Sequence, residues 1–332
     1  MRIPLTHQLN NYSQRLTGDF LRLYNECVEN LSRGILTTRI SFSDTSVDMQ
    51  EVFTLVSEAI VYGCPELFYI SQQIGMSYST NEVTLTFTNK YEGQNLSKLW
   101  EALDNEINRI VDIINALPNP YRKLNRLNKY LCMRVKYNAS ADDKYSDAYG
   151  ALISKEARCE GYAKAAKLIL DRLGFNSIIA CGDGIIEGSR VSHTWNIIEY
   201  KSNYYHFDFT WNASNTRYGI PGQIYMFLDD ETAHIEHLPR YSYPACLNPT
   251  KTFWALNNGV IKYHSDLARI KIIAFNNNYL AMAKMPRKLT QFELDDEIFT
   301  WMQDELAGYN YGSQLSYSYN DRINILVFYF IN

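Results

Sequence analysis

Three observations predict a fold of mixed helix and sheet: several stretches carry apolar residues at helical spacing, others alternate apolar and polar residues, and turn-forming residues separate the two. In the first third, Leu16, Phe20, Leu23, Cys27 and Leu31 predict a helix from His7 to Leu31. Thr37 to Phe42 alternates as a strand does, and Met49 to Tyr62 is helical again before the breaker Gly63-Cys-Pro65. Phe68 to Ser71 and Glu82 to Thr88 read as strands. A long amphipathic helix from Leu96 to Leu117 ends at Pro118-Asn-Pro120, a helix-to-helix turn, and a second runs from Tyr121 to Val135.

Asp142 to Ser154 is polar and turn-like and leads directly to Cys159. Beyond it Tyr162, Ala165, Ala166, Ile169, Leu170 and Leu173 repeat with helical period, and Gly174 stands where a left-handed cap belongs. Cys159 is therefore expected at a helix N-terminus. Strands are expected at Ser177 to Cys181, Thr194 to Tyr200 and Tyr204 to Thr210, the last two as a hairpin. In the tail, Ile270 to Phe275 and Tyr279 to Ala283 read as strands, Phe292 to Leu306 as a helix, and a final hairpin turns at Asn320-Asp321. These elements divide the chain into a mixed N-terminal region, 1–92, a central core, 93–245, and a C-terminal region, 246–332.

With 332 residues, 46% hydrophobic and 20% charged, the chain has enough apolar material for one large core or two to three smaller ones. A net charge of -4 lacks the basic footprint of a nucleic-acid or anionic-membrane binder. No apolar run reaches the roughly 18 residues of a membrane span, and no leader is evident. The expectation is a cytoplasmic protein, or a secreted one where a leader has been removed. The six cysteines, at 27, 64, 132, 159, 181 and 246, show neither CxxC pairing nor regular spacing, which argues against a disulfide framework or a zinc ribbon. The many tyrosines stand in alternating runs such as Gln314-Leu-Ser-Tyr-Ser-Tyr319 and read as strand residues.

Cys159, His193 and Asp208 occur in that order, each in a setting suited to one role in thiol catalysis. A thiol needs a base to ionise it, and the base needs an acceptor to hold its tautomer. A helix N-terminus offers backbone N–H groups and the positive end of the macrodipole, which favour a thiolate and can stabilise an oxyanion. Arg158 adds to that field and Glu160 opposes it. His193 and Asp208 share a strand face only if the hairpin loop is even-numbered, as Lys201-Ser202 alone would be; cross-strand neighbours then lie about 5 to 8 Å apart at Cβ.

The segments Tyr149-Gly-Ala-Leu, Cys159-Glu-Gly-Tyr-Ala, His193-Thr-Trp-Asn and Asp208-Phe-Thr-Trp resemble the transglutaminase-like superfamily, in particular its bacterial cysteine peptidase branch. The resemblance is close from Leu124 to Leu238, including Tyr225-Met-Phe-Leu-Asp-Asp, and fainter at Cys64-Pro-Glu-Leu-Phe-Tyr69. It implies an α+β fold with a papain-like core, the nucleophile helix packed on an antiparallel sheet, flanked by N-terminal and C-terminal extensions. By residue it implies Cys159 as nucleophile, His193 as base and then acid, and Asp208 as orienting acceptor. Arg158, Tyr149, Trp195 and Trp211 become candidates for the oxyanion site or substrate cleft, the two tryptophans chiefly as packing. The implied reaction is acyl transfer from a peptide or side-chain amide, with no cofactor and no metal. Water as acceptor gives a protease or amidase and is the leading reading; an amine gives a glutamine cross-linking enzyme, and a non-catalytic binding module is the reading from another class.

Other signals are weaker. His206 shares a strand face with Asp208 and is the alternative base. Cys181, before Gly182-Asp-Gly184, reads as a structural thiol. Asp229, Asp230, Glu231, His234, Glu236 and His237 are rich in ligand-type groups, but a His pair without a third fixed ligand reads as a solvated helix end rather than a metal site.

Overall fold

The structure, a computed structural model, describes residues 2–5, 10–42, 48–79, 81–277, 280–306 and 314–331. It is a mixed α+β protein whose chain separates into two compact units. The first comprises Met1–Leu127, Arg134–Ala180 and Thr194–Asn196; the second comprises Asn128–Met133, Cys181–His193 and Ile197–Asn332.

The first unit opens with helix α1 (Gly18–Ser32), strand β1 (Thr37–Ser41), helix α2 (Met49–Val61), and strands β2 (Ile70–Ser79) and β3 (Glu82–Asn89). The helix expected from His7 thus starts at Gly18, after a short 3-10 turn at Ser13–Arg15; residues 7–9 lie outside those described. The three strands form an antiparallel sheet in the order β1-β3-β2. Strand β2 is much longer than Phe68 to Ser71: the polar pair Gln72-Gln73 interrupts the apolar pattern, which resumes beyond it with Ile74, Met76 and Tyr78 in alternation. Helix α3 (Leu96–Asn115) and helix α4 (Pro120–Arg134), with Pro120 beginning the second, flank the Pro-Asn-Pro turn as expected.

A short parallel pair, β4 (Lys136–Tyr137) with β5 (Glu156–Ala157), brackets the segment that leads into helix α5 (Cys159–Arg172). Helix α5 is buried almost throughout, from Gly161 to Leu170 without interruption. It is tied in by Tyr162 Oη donating to Val135 O at 2.6 Å and Asn196 Nδ2 donating to Ala163 O at 3.1 Å. Gly174, with φ of +80°, ends it, and Phe175 N donates back to Leu170 O at 2.9 Å. Below α5 lies a buried ion pair, Lys90 Nζ to Asp147 Oδ2 at 2.8 Å, with Tyr91 Oη (3.1 Å) and Gly150 N (2.7 Å) also donating to Asp147. Asp147→Ala would strand the Lys90 ammonium in a buried site, and the expected loss is about 3 to 5 kcal/mol of unfolding free energy by urea titration.

The second unit holds most of a five-stranded sheet ordered β10-β6-β7-β8-β9. Its strands are β6 (Ser177–Ile186), β7 (Ser189–Tyr200), β8 (Asn203–Phe207), β9 (Met226–Leu228) and β10 (His237–Pro239), with helices α6 (Phe209–Ser214) and α7 (Asp230–Ala233) between them. Strands β7 and β8 are joined by Lys201-Ser202 alone, both residues at positive φ (51° and 60°), as a two-residue hairpin loop of this kind requires. The strand expected to reach Thr210 stops at Phe207. There the β8–β9 register shifts between His206 and Phe207, and Asp208 leaves the strand to cap α6.

The C-terminal part adds helices α8 (Phe253–Leu256) and α9 (Ala268–Asn276), strand β11 (Leu280–Lys284), helix α10 (Thr300–Leu306), and strands β12 (Gln314–Asn320) and β13 (Ile325–Ile331). The last three strands form an antiparallel sheet, β11-β13-β12, over a core that includes Trp254, Ile270, Ile273, Met302 and Phe328. Ile270 to Phe275 is helix, not strand: its β-branched residues suggested sheet, but Ile270, Ile273 and Ala274 are buried at helical spacing while Ile272 is exposed. Tyr279 lies outside the described residues, and the strand expected there begins at Leu280. A π-helical stretch, Glu293–Phe299, precedes α10. Among the described residues no helix is long and apolar enough to cross a membrane.

Candidate active site

In the first unit Cys159 opens α5 and is 8% exposed. The preceding Arg158 is extended (φ -83°, ψ -178°), and its N–H donates to Tyr145 O at 2.7 Å, which fixes the entry of the chain into the helix. Cys159, Glu160 and Gly161 thus supply first-turn N–H groups with no acceptor inside the helix. Gly161 explains itself sterically: a Cβ there would stand 2.7 Å from both Tyr145 O and the Ala157 Cβ, and 3.0 Å from Asp147 O. A side chain at that position would push the 145–147 segment off the turn that carries the thiol.

The Cys159 Sγ lies 3.4 Å from Glu160 Oε2. The Arg158 guanidinium is 3.8 Å from the same carboxylate and 3.7 Å from Asp143, so the two charges flanking the cysteine partly offset each other. Tyr149 is half-buried and stacked on Phe68 (centroids 5.5 Å apart, planes at 18°), edge-on to Tyr91. Trp195 is 1% exposed. Lys164, on α5, is buried; burial foremost, with Lys90 nearby, pushes its ammonium down to about 8.

In the second unit His193 Nε2 lies 2.6 Å from Asp208 Oδ2, both residues almost fully buried. The other carboxylate oxygen, Oδ1, accepts the Trp211 backbone N–H at 2.9 Å as the N-cap of α6, and the Asp208 N–H donates to Tyr225 O at 2.9 Å. Trp211, placed by that cap, stacks on the His193 ring at 4.7 Å with planes 18° apart. Gly184 makes room beneath: a Cβ there would meet the Trp211 ring at 2.8 Å and His193 Cβ at 3.2 Å.

A third residue completes this cluster. His237 Nε2 lies 2.9 Å from the same Asp208 Oδ2, and its ring packs 4.3 Å from Trp211. Burial by itself would raise the Asp208 carboxyl, but the two imidazoles, His193 foremost, outweigh it and hold the carboxyl far below the usual range. An ionised carboxylate only accepts, so both Nε2 atoms donate and His193 Nδ1 carries the lone pair of the neutral ring. A neutral His193 can therefore accept a proton at Nδ1.

His237, whose sequence context reads as a solvated helix end, is instead 1% exposed on β10, which pairs with β6 at His237↔Gly184. No local pattern marks it, because its partner is 29 residues away and is reached only through that pairing. His206, the alternative base, bonds to Asp230 at 2.8 Å rather than to Asp208. The strand-face argument fails there because β8 ends before Asp208.

Burial pushes the His237 imidazole down to about 4, against the pull of Asp208. The native state therefore holds His237 neutral while the unfolded chain protonates it near the ordinary value of about 6.5. Stability is full above that value and falls as the pH drops toward 4. This one residue should cost about 2 kcal/mol between pH 7 and pH 5. His237→Gln, which keeps a donor but does not titrate, should flatten that loss in urea titrations at the two pH values.

Among the described residues, two groups bring three ligand-type atoms within 4.8 Å of one another: His193, Asp208 and His237, and His206, Asp230 and His234.

Residues 108–209, which contain Cys159, His193 and Asp208, match the sequence profile of the transglutaminase-like superfamily. Among solved structures, the chain is similar to one described as a crystal structure of a TGase, at 16% identity and a TM-score of 0.31, over 60% of this chain and 56% of that one. It is also similar to a Cytophaga hutchinsonii protein provisionally named a cysteine protease, at 12% identity and a TM-score of 0.30, over 42% of this chain and 61% of that one. The chain thus spans less than two thirds of either structure. No curated protein matches it. The chain carries, at residues 108–209, a transglutaminase-like superfamily domain.

Proposed function

We propose that the protein is a transglutaminase-like thiol enzyme that takes the acyl group of a peptide or side-chain amide onto Cys159 and passes it to water. The reading rests chiefly on the buried His193–Asp208 pair, 2.6 Å apart with Nε2 as donor, inside a domain of this superfamily whose α5 begins with a cysteine.

In the proposed reaction His193 Nδ1 takes the Cys159 proton and the thiolate attacks the amide carbonyl carbon, moving the π pair onto oxygen. The Cys159 backbone N–H, in the first turn of α5, is the candidate oxyanion donor. Collapse breaks the C–N bond, the departing amine takes the proton from His193, and a thioester remains. His193 then deprotonates a water molecule, whose attack releases the acid and restores the thiol. Asp208 stabilises the imidazolium formed at each stage. Arg158 is the candidate for holding substrate charge at the cleft, and the substrate is a protein or peptide.

The test is site-mapped labelling. Iodoacetamide followed by peptide mass spectrometry should modify Cys159 ahead of the other five cysteines, and a quenched reaction with a glutamine-containing peptide should leave an acyl adduct on the same residue. An adduct on another cysteine, with turnover intact when Cys159 is changed to Ser, overturns the assignment. An added primary amine tests the acceptor: release of free acid supports water, and conversion of all product to the amide replaces water by amine.

A further inference from the structure

We infer that His206, Asp230 and His234 form a binding site for a divalent transition metal of the zinc class, separate from the thiol chemistry and independent of that reading. A histidine and an aspartate four residues apart cannot by themselves fix a metal; the fold supplies the third ligand. Asp230 and His234 stand one turn apart at α7, and β8 brings His206 Nε2 to 2.8 Å from Asp230 Oδ1. His234 Nε2 lies 3.6 Å from that same oxygen, beyond a hydrogen bond, with its ring edge-on to His206 at 5.5 Å.

All three ligand atoms lie within 4.8 Å of one another. Bonds of about 2.0 to 2.1 Å around a tetrahedral zinc ion place neighbouring ligands about 3.3 Å apart, so small side-chain adjustments suffice. The rest of Asp230 is already held in the way a ligating carboxylate is: Oδ2 accepts the Cys246 backbone N–H at 2.9 Å, which leaves Oδ1 for the metal. Two imidazoles and one carboxylate suit zinc, cobalt or nickel better than calcium or magnesium. His206 is buried, but the His234 side chain is 44% exposed and Asp230 29%, which gives the ion a path in from solvent and room for water as a further ligand.

The location gives such an ion a consequence. The 206–208 segment, from the end of β8 to the α6 cap, and the 230–237 segment each contribute to both histidine–carboxylate clusters, His206 with Asp230 and His234 in one, Asp208 with His237 in the other. A metal at the first would pin the two segments that also assemble the second.

The test uses the full chain stripped with a chelator, with Co(II) and Zn(II) as probes. One equivalent of Co(II) should give visible d–d absorption and be displaced by Zn(II), and Zn(II) should raise Tm. His234→Ala, at an exposed position, should weaken binding by about 10-fold or more and leave the metal-free Tm unchanged, and His206→Ala should do the same to binding. His193→Ala should retain the metal. Failure to bind one equivalent, or loss of binding in His193→Ala with retention in His234→Ala, overturns the site.

Discussion

Changing Cys159 to Ala is expected to remove acyl transfer, lowering kcat by about 10⁴-fold or more, since a nucleophile's loss leaves only binding and oxyanion stabilisation. The substitution should leave the fold intact. Cys159 is the first residue of α5, where alanine is well tolerated, and its thiol makes only a 3.4 Å contact with the neighbouring Glu160. Steady-state kinetics beside a thermal melt check both halves: a large loss of rate with an unchanged Tm. Retention of even a tenth of the rate would put the nucleophile elsewhere. Cys27, Cys64, Cys132 and Cys246 offer poor substitutes, since burial pushes their thiols well above the ordinary value.

Asp208 should show two different failures. Asp208→Asn keeps the size of the side chain but places an NH₂ group where the carboxylate stood, and both flanking Nε2 atoms must then become acceptors. His193 would carry its proton on Nδ1, the wrong tautomer for a base, so kcat should fall by about 10⁴-fold with only a modest loss of stability. Asp208→Ala removes the acceptor altogether. It leaves two buried imidazoles without their shared partner and deletes the α6 cap, and unfolding free energy should drop by about 3 to 5 kcal/mol. Urea titration separates the two variants.

Where local chemistry decided the structure, it was legible. Cys159 at the start of α5, Gly174 in a left-handed cap and the two-residue Lys201-Ser202 turn each follow from residues adjacent in sequence. The errors arose where tertiary context outweighed local pattern. Ile270 to Phe275 has strand-forming residues, yet its burial follows helical spacing. Strand β2 continues past the polar pair Gln72-Gln73, where its register against β3 shifts, into the alternating Ile74, Met76 and Tyr78. At the site, hairpin parity brought His193 and Asp208 near each other, but the contact itself depends on Asp208 leaving β8 to cap α6. His237 needed the β10–β6 pairing, and His206 needed the bulge beside Phe207 to separate it from Asp208. Neither contact leaves a trace at short sequence range.

One carboxylate serves two masters in this fold. Asp208 Oδ2 faces His193 while Oδ1 starts α6, and α6 in turn sets the tryptophan that lies flat on the His193 ring. Any rotation that withdraws the carboxylate from the imidazole also frays the first turn of α6 and lifts the tryptophan. A small rotamer change cannot release the imidazole alone: the pair stays in place for as long as the first turn of α6 is folded.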